Sequence, residues 1–335
     1  MGKKPDNKSA KEDYWIGFDL GGTKMLSVVF DSDFNEIGKA RKKTKGYEGM
    51  EAGLQRINAT IKESLEDADI KKSQISGIGI GCPGPLDFKK GTIREAPNLG
   101  WKNIPIRKSL ESEFDCPAAI GNDVDVGVLG EYKFGAGKKA RCLVGIFPGT
   151  GIGGGCVYEG KLFRGTNTSC MEIGHIPVLS GGPIDGAGNP GSLESVASRL
   201  TIAGLAAQAA YRGQAPSLLK DAGTDISQIR SGALSDSVDS GDKAVKEIIE
   251  QAAEHMGLAV VTIVHLLAPD VIVFGGGLIE AMPKVILPVI EKTARDRILP
   301  SLRDEFKIVE AKLGDNAAVM GAAALAKQHV ADLDD

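Results

Sequence analysis

Two segments of this chain follow one plan, and that plan constrains the fold more than any other feature of the sequence. The first reads as a strand at Trp15–Asp19, a turn at Gly21-Gly22 and a strand at Met25–Phe30. The second reads as a strand at Leu143–Phe147, a glycine-rich stretch at Gly149–Gly155 and a strand at Cys156–Tyr158. The likeness lies in arrangement, not in letters. Each segment leaves bare backbone where a phosphate could lie, because residues without a Cβ let N–H groups close on an anion. Two such units predict a duplicated α/β core with the active site in the cleft between the copies. A length of 335 residues agrees, since it exceeds one core and predicts two lobes.

Strand and helix alternate through the rest. Leu54, Ile57, Ile61 and Leu65 recur every three or four residues and predict a helix over Glu51–Ala68. Ile75–Ile80 reads as a buried strand running into a rigid loop, Gly81-Cys82-Pro83-Gly84-Pro85. Ala118–Ile120 is a further strand, ending at Gly121-Asn122-Asp123. Ser192–Tyr211 and Asp242–Leu267 are long helical patterns, the second stopped by Pro269 and followed by a strand at Asp270–Phe274. Ile308–Leu313 reads as a late strand, with Asp315 or Asn316 capping a last helix at Ala317–Lys327. The fold class is α/β.

Composition excludes several functions. A net charge of −4 supplies no basic field for nucleic acid, so no such partner is expected. The longest apolar stretch, Leu258–Ala268, is interrupted by Thr262 and His265 and is too short to span a membrane. Cys82, Cys116, Cys142, Cys156 and Cys170 form no C-x-x-C pair and read as reduced thiols of a cytoplasmic protein. Met1–Asp13 is polar and lysine-rich and reads as a disordered tail, neither signal peptide nor anchor.

Five groups of residues could carry chemistry. In the first, Asp19 can hold Mg²⁺ through water, Gly21 and Gly22 bare their backbone, and Thr23 and Lys24 offer a hydroxyl and a cation to phosphate; an ordinary hairpin turn is the plain alternative. Gly149, Thr150, Gly151 and Gly153 open a segment with little side chain to pack, which is not a Walker A loop because no G-K-[ST] ends it; a flexible linker is the alternative. Asp123 is a candidate general base and Asn122 a hydrogen-bonding partner for a substrate, unless the pair is simply a turn or helix cap. Glu172, His175 and Glu194 suit sugar hydroxyls, against a metal site at His175 or a surface position for Glu194. Gly275, Gly276 and Gly277 can admit a flat adenine, or serve only as a βα turn.

Together these segments resemble the ROK family of sugar kinases and repressors, within the superfamily of actin-like ATPases that includes hexokinase. The resemblance runs from Tyr14 through nearly the whole chain. It rests on DLGGTK at Asp19–Lys24, GCPGPLD at Gly81–Asp87, PNLGW at Pro97–Trp101 and GND at Gly121–Asp123. GTGIGGG at Gly149–Gly155, EIGH at Glu172–His175, a Gly-x-x-Gly-x-Leu-Glu element at Gly188–Glu194 and GGG at Gly275–Gly277 complete it. It implies a two-lobed, ribonuclease H-like duplicated core: a smaller lobe over 14–124, a larger one over 125–316, and a helix near 317–330 packing back on the first. It implies phosphates of ATP, with Mg²⁺, on Asp19–Lys24 and Gly149–Gly155, and adenosine beside Gly275–Gly277. Asp123 would be the base that activates a hexose or amino-hexose hydroxyl. Asn122, Glu172, His175 and Glu194 would grip the sugar, and Asn98 would contact it from a closing loop at Pro97–Trp101.

One departure stands out. Many relatives hold a structural zinc with the His of E-x-G-H and three cysteines, whose positions are taken here by Asp185, Ala187 and Ser192. No such zinc is expected, His175 is left to act as a sugar ligand, and something else must shape the Leu179–Gly191 loop. The repressors carry an N-terminal DNA-binding domain, for which the residues before Tyr14 are too few. Three rivals remain open: a sugar sensor without catalysis, another enzyme of the superfamily such as an acyl kinase or ATPase, and a kinase using polyphosphate. The motifs do not choose the sugar. A homodimer is the commonest assembly for such enzymes.

Overall fold

The computed structural model describes residues 13–166 and 170–334, so all of the expected tail except Asp13 lies outside the described residues. The chain divides into two compact units, one built from residues up to Val126 together with those from Ala318 onward, the other from Gly127–Ala317.

In the first unit, eight strands run in order: β1 (Tyr14–Leu20), β2 (Lys24–Phe30), β3 (Glu36–Lys43), β4 (Ile75–Cys82), β5 (Leu86–Asp87), β6 (Thr92–Ala96), β7 (Trp101–Ile104) and β8 (Ala118–Asn122). Five of them make a sheet in the order β3-β2-β1-β4-β8, and β5-β6-β7 make a small second one. The period of two along β1 decides which residues face which layer. Ile16, Phe18 and Leu20 join the core that holds Ile57, Ile61 and Leu65 of the helix Met50–Asp67. Trp15 points the other way, toward Val319, Ala323 and Ala326 of the helix Asn316–Asp334. Both faces are covered, which is why these strands read as unbroken apolar runs. Gly17 and Gly79 let the last helix close on the sheet: a Cβ at either would stand 1.9 Å from the Val319 carbonyl oxygen or 1.7 Å from that of Ala322.

The second unit contributes β9 (Cys142–Pro148), β10 (Ile152–Tyr158), β11 (Lys161–Leu162), β12 (Val271–Phe274) and β13 (Lys307–Glu310). Their order is β11-β10-β9-β12-β13. In each unit the first hairpin is antiparallel and the fourth and fifth strands add in parallel. The two sheets therefore share one topology. The helices Arg199–Tyr211, Lys243–Leu267 and Pro283–Arg295 supply about half of the alanine- and isoleucine-rich core that includes the second sheet.

Three expectations are corrected. Gly81 and Cys82 belong to β4, not to the loop, because they pair with Gly121 and Asn122 of β8. The pattern Ser192–Tyr211 is two helices, Leu193–Ala197 and Arg199–Tyr211, broken at Ser198, whose Oγ accepts from Thr201 N–H while Arg199 N–H turns aside to the Gly149 carbonyl. Gly153, Gly154 and Gly155 lie inside β10, paired with Phe147, Ile146 and Gly145, so the bare turn is only Gly149–Gly151. The reason is crowding: a Cβ on Gly154 would meet the Ile173 side chain at 2.4 Å.

Candidate active site

In the first unit, the parallel register sets the chemistry. Asp19 on β1 stands opposite Gly81 on β4, Gly81 opposite Gly121 on β8, and Cys82 opposite Asn122. The carboxyl ends of three adjacent strands, each about 4.8 Å from the next, thus bring Asp19 and the Asn122-Asp123 pair into one row. That edge is where ligands bind in open α/β sheets. Buried Cys82 registers both acids: burial first, then the charges of Asp123 and Asp19, push its thiol well above the usual range and keep it protonated.

Asn122 closes β8 and caps the helix Asp123–Lys133. Its Oδ1 accepts from the N–H groups of Val124 at 2.9 Å and Asp125 at 3.4 Å in the first turn. The cap reading therefore holds for Asn122, and the amide Nδ2 is the group it can offer a ligand. Asp123, half-buried, begins that helix, where the positive end of the backbone dipole favours an ionised carboxylate.

The turn at Gly21–Thr23 is clamped by a residue the sequence did not single out. Buried Thr44 donates its hydroxyl to the Gly21 carbonyl at 2.6 Å and its N–H to that of Thr23 at 2.9 Å. Gly22, Thr23 and Lys24 are exposed. A Cβ on Gly22 would lie 3.6 Å from that of Asn98, which places exposed Asn98 beside the turn. The Pro97–Trp101 segment is a 3₁₀ turn leading into β7, anchored by buried Leu99 and Trp101; the Trp101 indole N–H donates to the Gly46 carbonyl.

In the second unit, the turn Gly149–Gly151 is held by Gly149 N–H on the Gly151 carbonyl at 2.7 Å. Arg199, also not foreseen, donates a guanidinium N–H to Thr150 Oγ1 at 2.8 Å and sets a cation at this turn. Gly151 makes room for Glu194, since a Cβ there would stand 2.2 Å from Glu194 Oε2. That same oxygen accepts from Ile152 N–H at 2.9 Å. Gly153 sits within β10, and Gly275 is buried against Phe147 and Ala311. Gly276 adopts φ +83° and comes beside Pro148, while exposed Gly277 starts the helix Gly277–Ala281. The Gly275–Gly277 run is thus a βα turn at the carboxyl ends of β9 and β12.

Glu172 precedes the 3₁₀ turn Ile173–His175 and His175 ends it, and both are exposed. Gly174 permits this turn to press on β10, because a Cβ would meet the Ile152 carbonyl oxygen at 2.2 Å. His175 titrates above its ordinary range, raised first by its hydrogen bond to Asp185 and further by the charges of Glu194 and Glu172, with burial opposing. Those shared influences bring the three expected sugar ligands of this unit into one neighbourhood. Asp185 is the third residue the sequence did not single out, marked there only as a missing cysteine.

Among the described residues, no helix is long and apolar enough to cross a membrane, and no three His, Cys, Asp or Glu side chains are grouped to hold a metal ion. A family model described as the ROK family matches residues 15–329. A glucokinase of Halalkalibacterium halodurans is 31% identical over 318 residues, covering 94% of this chain and 95% of that protein. The crystal structure of a ROK family glucokinase from Streptomyces griseus, in complex with glucose and AMPPNP, matches with a TM-score of 0.80 and 29% identity, covering 94% of this chain and 99% of that one. A xylose repressor of Caldicellulosiruptor bescii is 28% identical over 311 residues, covering 92% of this chain and 77% of that protein.

Proposed function

The chain belongs to the ROK family, and from that premise we propose that it is a sugar kinase, moving the terminal phosphoryl group of ATP to a hydroxyl of a hexose or amino-hexose. The observation that carries the reading is the strand register that sets Asp19 and the Asn122-Asp123 pair on one sheet edge, next to the clamped turn Gly21–Thr23. Glucose is the first substrate to try because relatives of this chain are named glucokinase.

Each residue then has a task. The exposed turns Gly21–Lys24 and Gly149–Gly151 receive the phosphates on backbone N–H groups, aided by Thr23, Lys24 and Thr150, and adenosine rests by Gly275–Gly277. Asn122 Nδ2 donates to the sugar, and Glu172, His175 and Glu194 hydrogen-bond its other hydroxyls. Asp123 takes the proton of the attacking hydroxyl as the new O–P bond forms. The Asp19 carboxylate suits Mg²⁺, which favours oxygen ligands and keeps several waters; when bound, the ion would neutralise charge on the terminal phosphates. A loose transition state leaves most of the barrier lowering to positioning and electrostatics. Proton removal adds roughly 10²–10⁴-fold.

A second reading, sugar binding without turnover, is favoured by the similarity to the xylose repressor. A coupled assay of the purified chain against a hexose panel, with ATP or polyphosphate as donor, separates them. The kinase reading expects hexose-dependent ADP release, and expects Asp123→Ala to bind sugar nearly as before while kcat falls roughly 10²–10⁴-fold. Sugar binding with no sugar phosphate formed from either donor supports the second reading. Release that ignores the sugar points to another enzyme of the superfamily, and near-normal kcat in the variant removes Asp123 from its role.

A further inference from the structure

The zinc that the family resemblance implies does not fit the residues present. Ala187 brings only its backbone N–H, which donates to Asp185 Oδ1 at 2.9 Å. Asn189 N–H reaches the same oxygen at 2.9 Å. On the other side, Asp185 Oδ2 lies 2.8 Å from His175 Nδ1 and accepts from Ser192 Oγ at 2.8 Å. A carboxylate has about four acceptor positions; four donors within 2.9 Å occupy them here, and Asn189 Nδ2 adds a longer contact to Oδ2 at 3.5 Å. None is left for a cation.

We propose that this hydrogen-bonded cluster does in the present chain what the ion does in zinc-bearing relatives, and that Asp185 is a positioning residue which fixes a proton on His175 Nδ1 and so makes Nε2 the atom offered to a sugar hydroxyl. The functional half of this rests on the sugar-kinase reading; the structural half does not. Asp185 is fully buried while the His175 side chain keeps 37% of its exposure, so one end of the dyad is fixed and the other faces outward. An ionised carboxylate can only accept, so the shared proton resides on Nδ1. A neutral ring then has a bare Nε2 that accepts from an O–H group.

The cluster also organises its surroundings. Backbone bonds close the neck of the loop, with Val178 N–H on Gly191 and Leu193 N–H on Ile176, each at 3.0 Å. Asp185 N–H closes the tip on the Asn189 carbonyl at 3.0 Å. Ser192 works in two directions: its hydroxyl donates to Asp185, and its Oγ accepts from Ser195 N–H, capping the short helix that carries Glu194. One buried carboxylate therefore sets His175 and Glu194 together.

The test is ¹⁵N-histidine NMR of the full chain at a pH above the His175 titration, combined with kinetics of Asp185→Asn. The chain has four histidines, and His175→Gln assigns the signal. Wild type is expected as the Nδ1–H tautomer. In the Asn variant an NH₂ group faces Nδ1, so the ring should switch to Nε2–H. The hexose KM should then rise about fivefold or more, the factor carried by one hydrogen bond, with the KM for ATP unchanged. The proposal is overturned by a wild-type ring protonated at Nε2, by an Asn variant with unaltered tautomer and KM, or by one equivalent of zinc that is bound by wild type and lost in His175→Gln. If the variant does not fold, the wild-type tautomer and metal content decide alone. Neither needs turnover, so a failed kinase assay leaves this test standing.

Discussion

At the residue scale, the site depends on a few side chains whose neighbours have been made small. Gly151 is one: a Cβ would stand 2.2 Å from Glu194 Oε2, which can swing away only by releasing the Ile152 N–H it accepts. Gly151→Ala should thus cost about 1–3 kcal/mol of stability, the penalty of leaving one buried N–H unpaired, and raise the hexose KM about tenfold, the scale of one charge-assisted hydrogen bond; steady-state kinetics and a thermal melt check both halves. The His175–Asp185 pair gives a signed pH dependence. Asp185 is held well below the usual carboxylate range, first by His175 and then by the N–H of Asn189. Its contribution to stability is full above about pH 4, the unfolded value, and drains as pH falls. His175 is raised, so the charged pair is fully present below about pH 6.5 and is lost as pH climbs through the folded value. The melting-temperature gap between wild type and Asp185→Asn should therefore be widest between these limits. It should narrow on both sides, and only partly at high pH, where neutral His175 still donates from Nδ1.

At the element scale, the last helix is held against the first sheet by missing side chains. Gly79 lies under the Ala322 carbonyl, and a Cβ there would approach to 1.7 Å from backbone that cannot rotate away. Gly79→Ala should cost about 1–3 kcal/mol, the range for overpacking a filled core, read as a shift in denaturant midpoint with an unchanged slope. Several elements were plain in the sequence because apolar periodicity announces them, among them β1, β2, β12 and the helices Met50–Asp67 and Lys243–Leu267. Others were not. β3 is an edge strand of the sequence EIGKARKK, and lysine along an exposed edge hides the strand pattern while guarding against unwanted pairing. The break at Ser198 was invisible because it depends on the Gly149 carbonyl, far away in sequence, capturing one N–H.

At the scale of the whole molecule, the chain carries one sheet topology twice, as expected of the actin-like fold that its structural relatives share. A ligand that binds only the folded chain stabilises it by mass action, by about 2.7 kcal/mol at a hundredfold excess over Kd. Only a hexose that fits should raise the melting temperature, so a thermal-shift panel with and without ATP ranks candidate sugars before any turnover is measured; no shift with any hexose would count against the reading. The fold class, the two glycine hairpins, GND and the family were legible in the letters, because alternation of apolar runs, bare turns and acidic residues are local properties of a chain. The roles of Thr44, Arg199 and Asp185 were not. Each acts by donating to or accepting from a group brought near only by folding: the carbonyls of Gly21 and Thr23, the hydroxyl of Thr150, and the ring of His175. A hydrogen bond is a fact about two positions in space, and one residue's identity records only that it could make one.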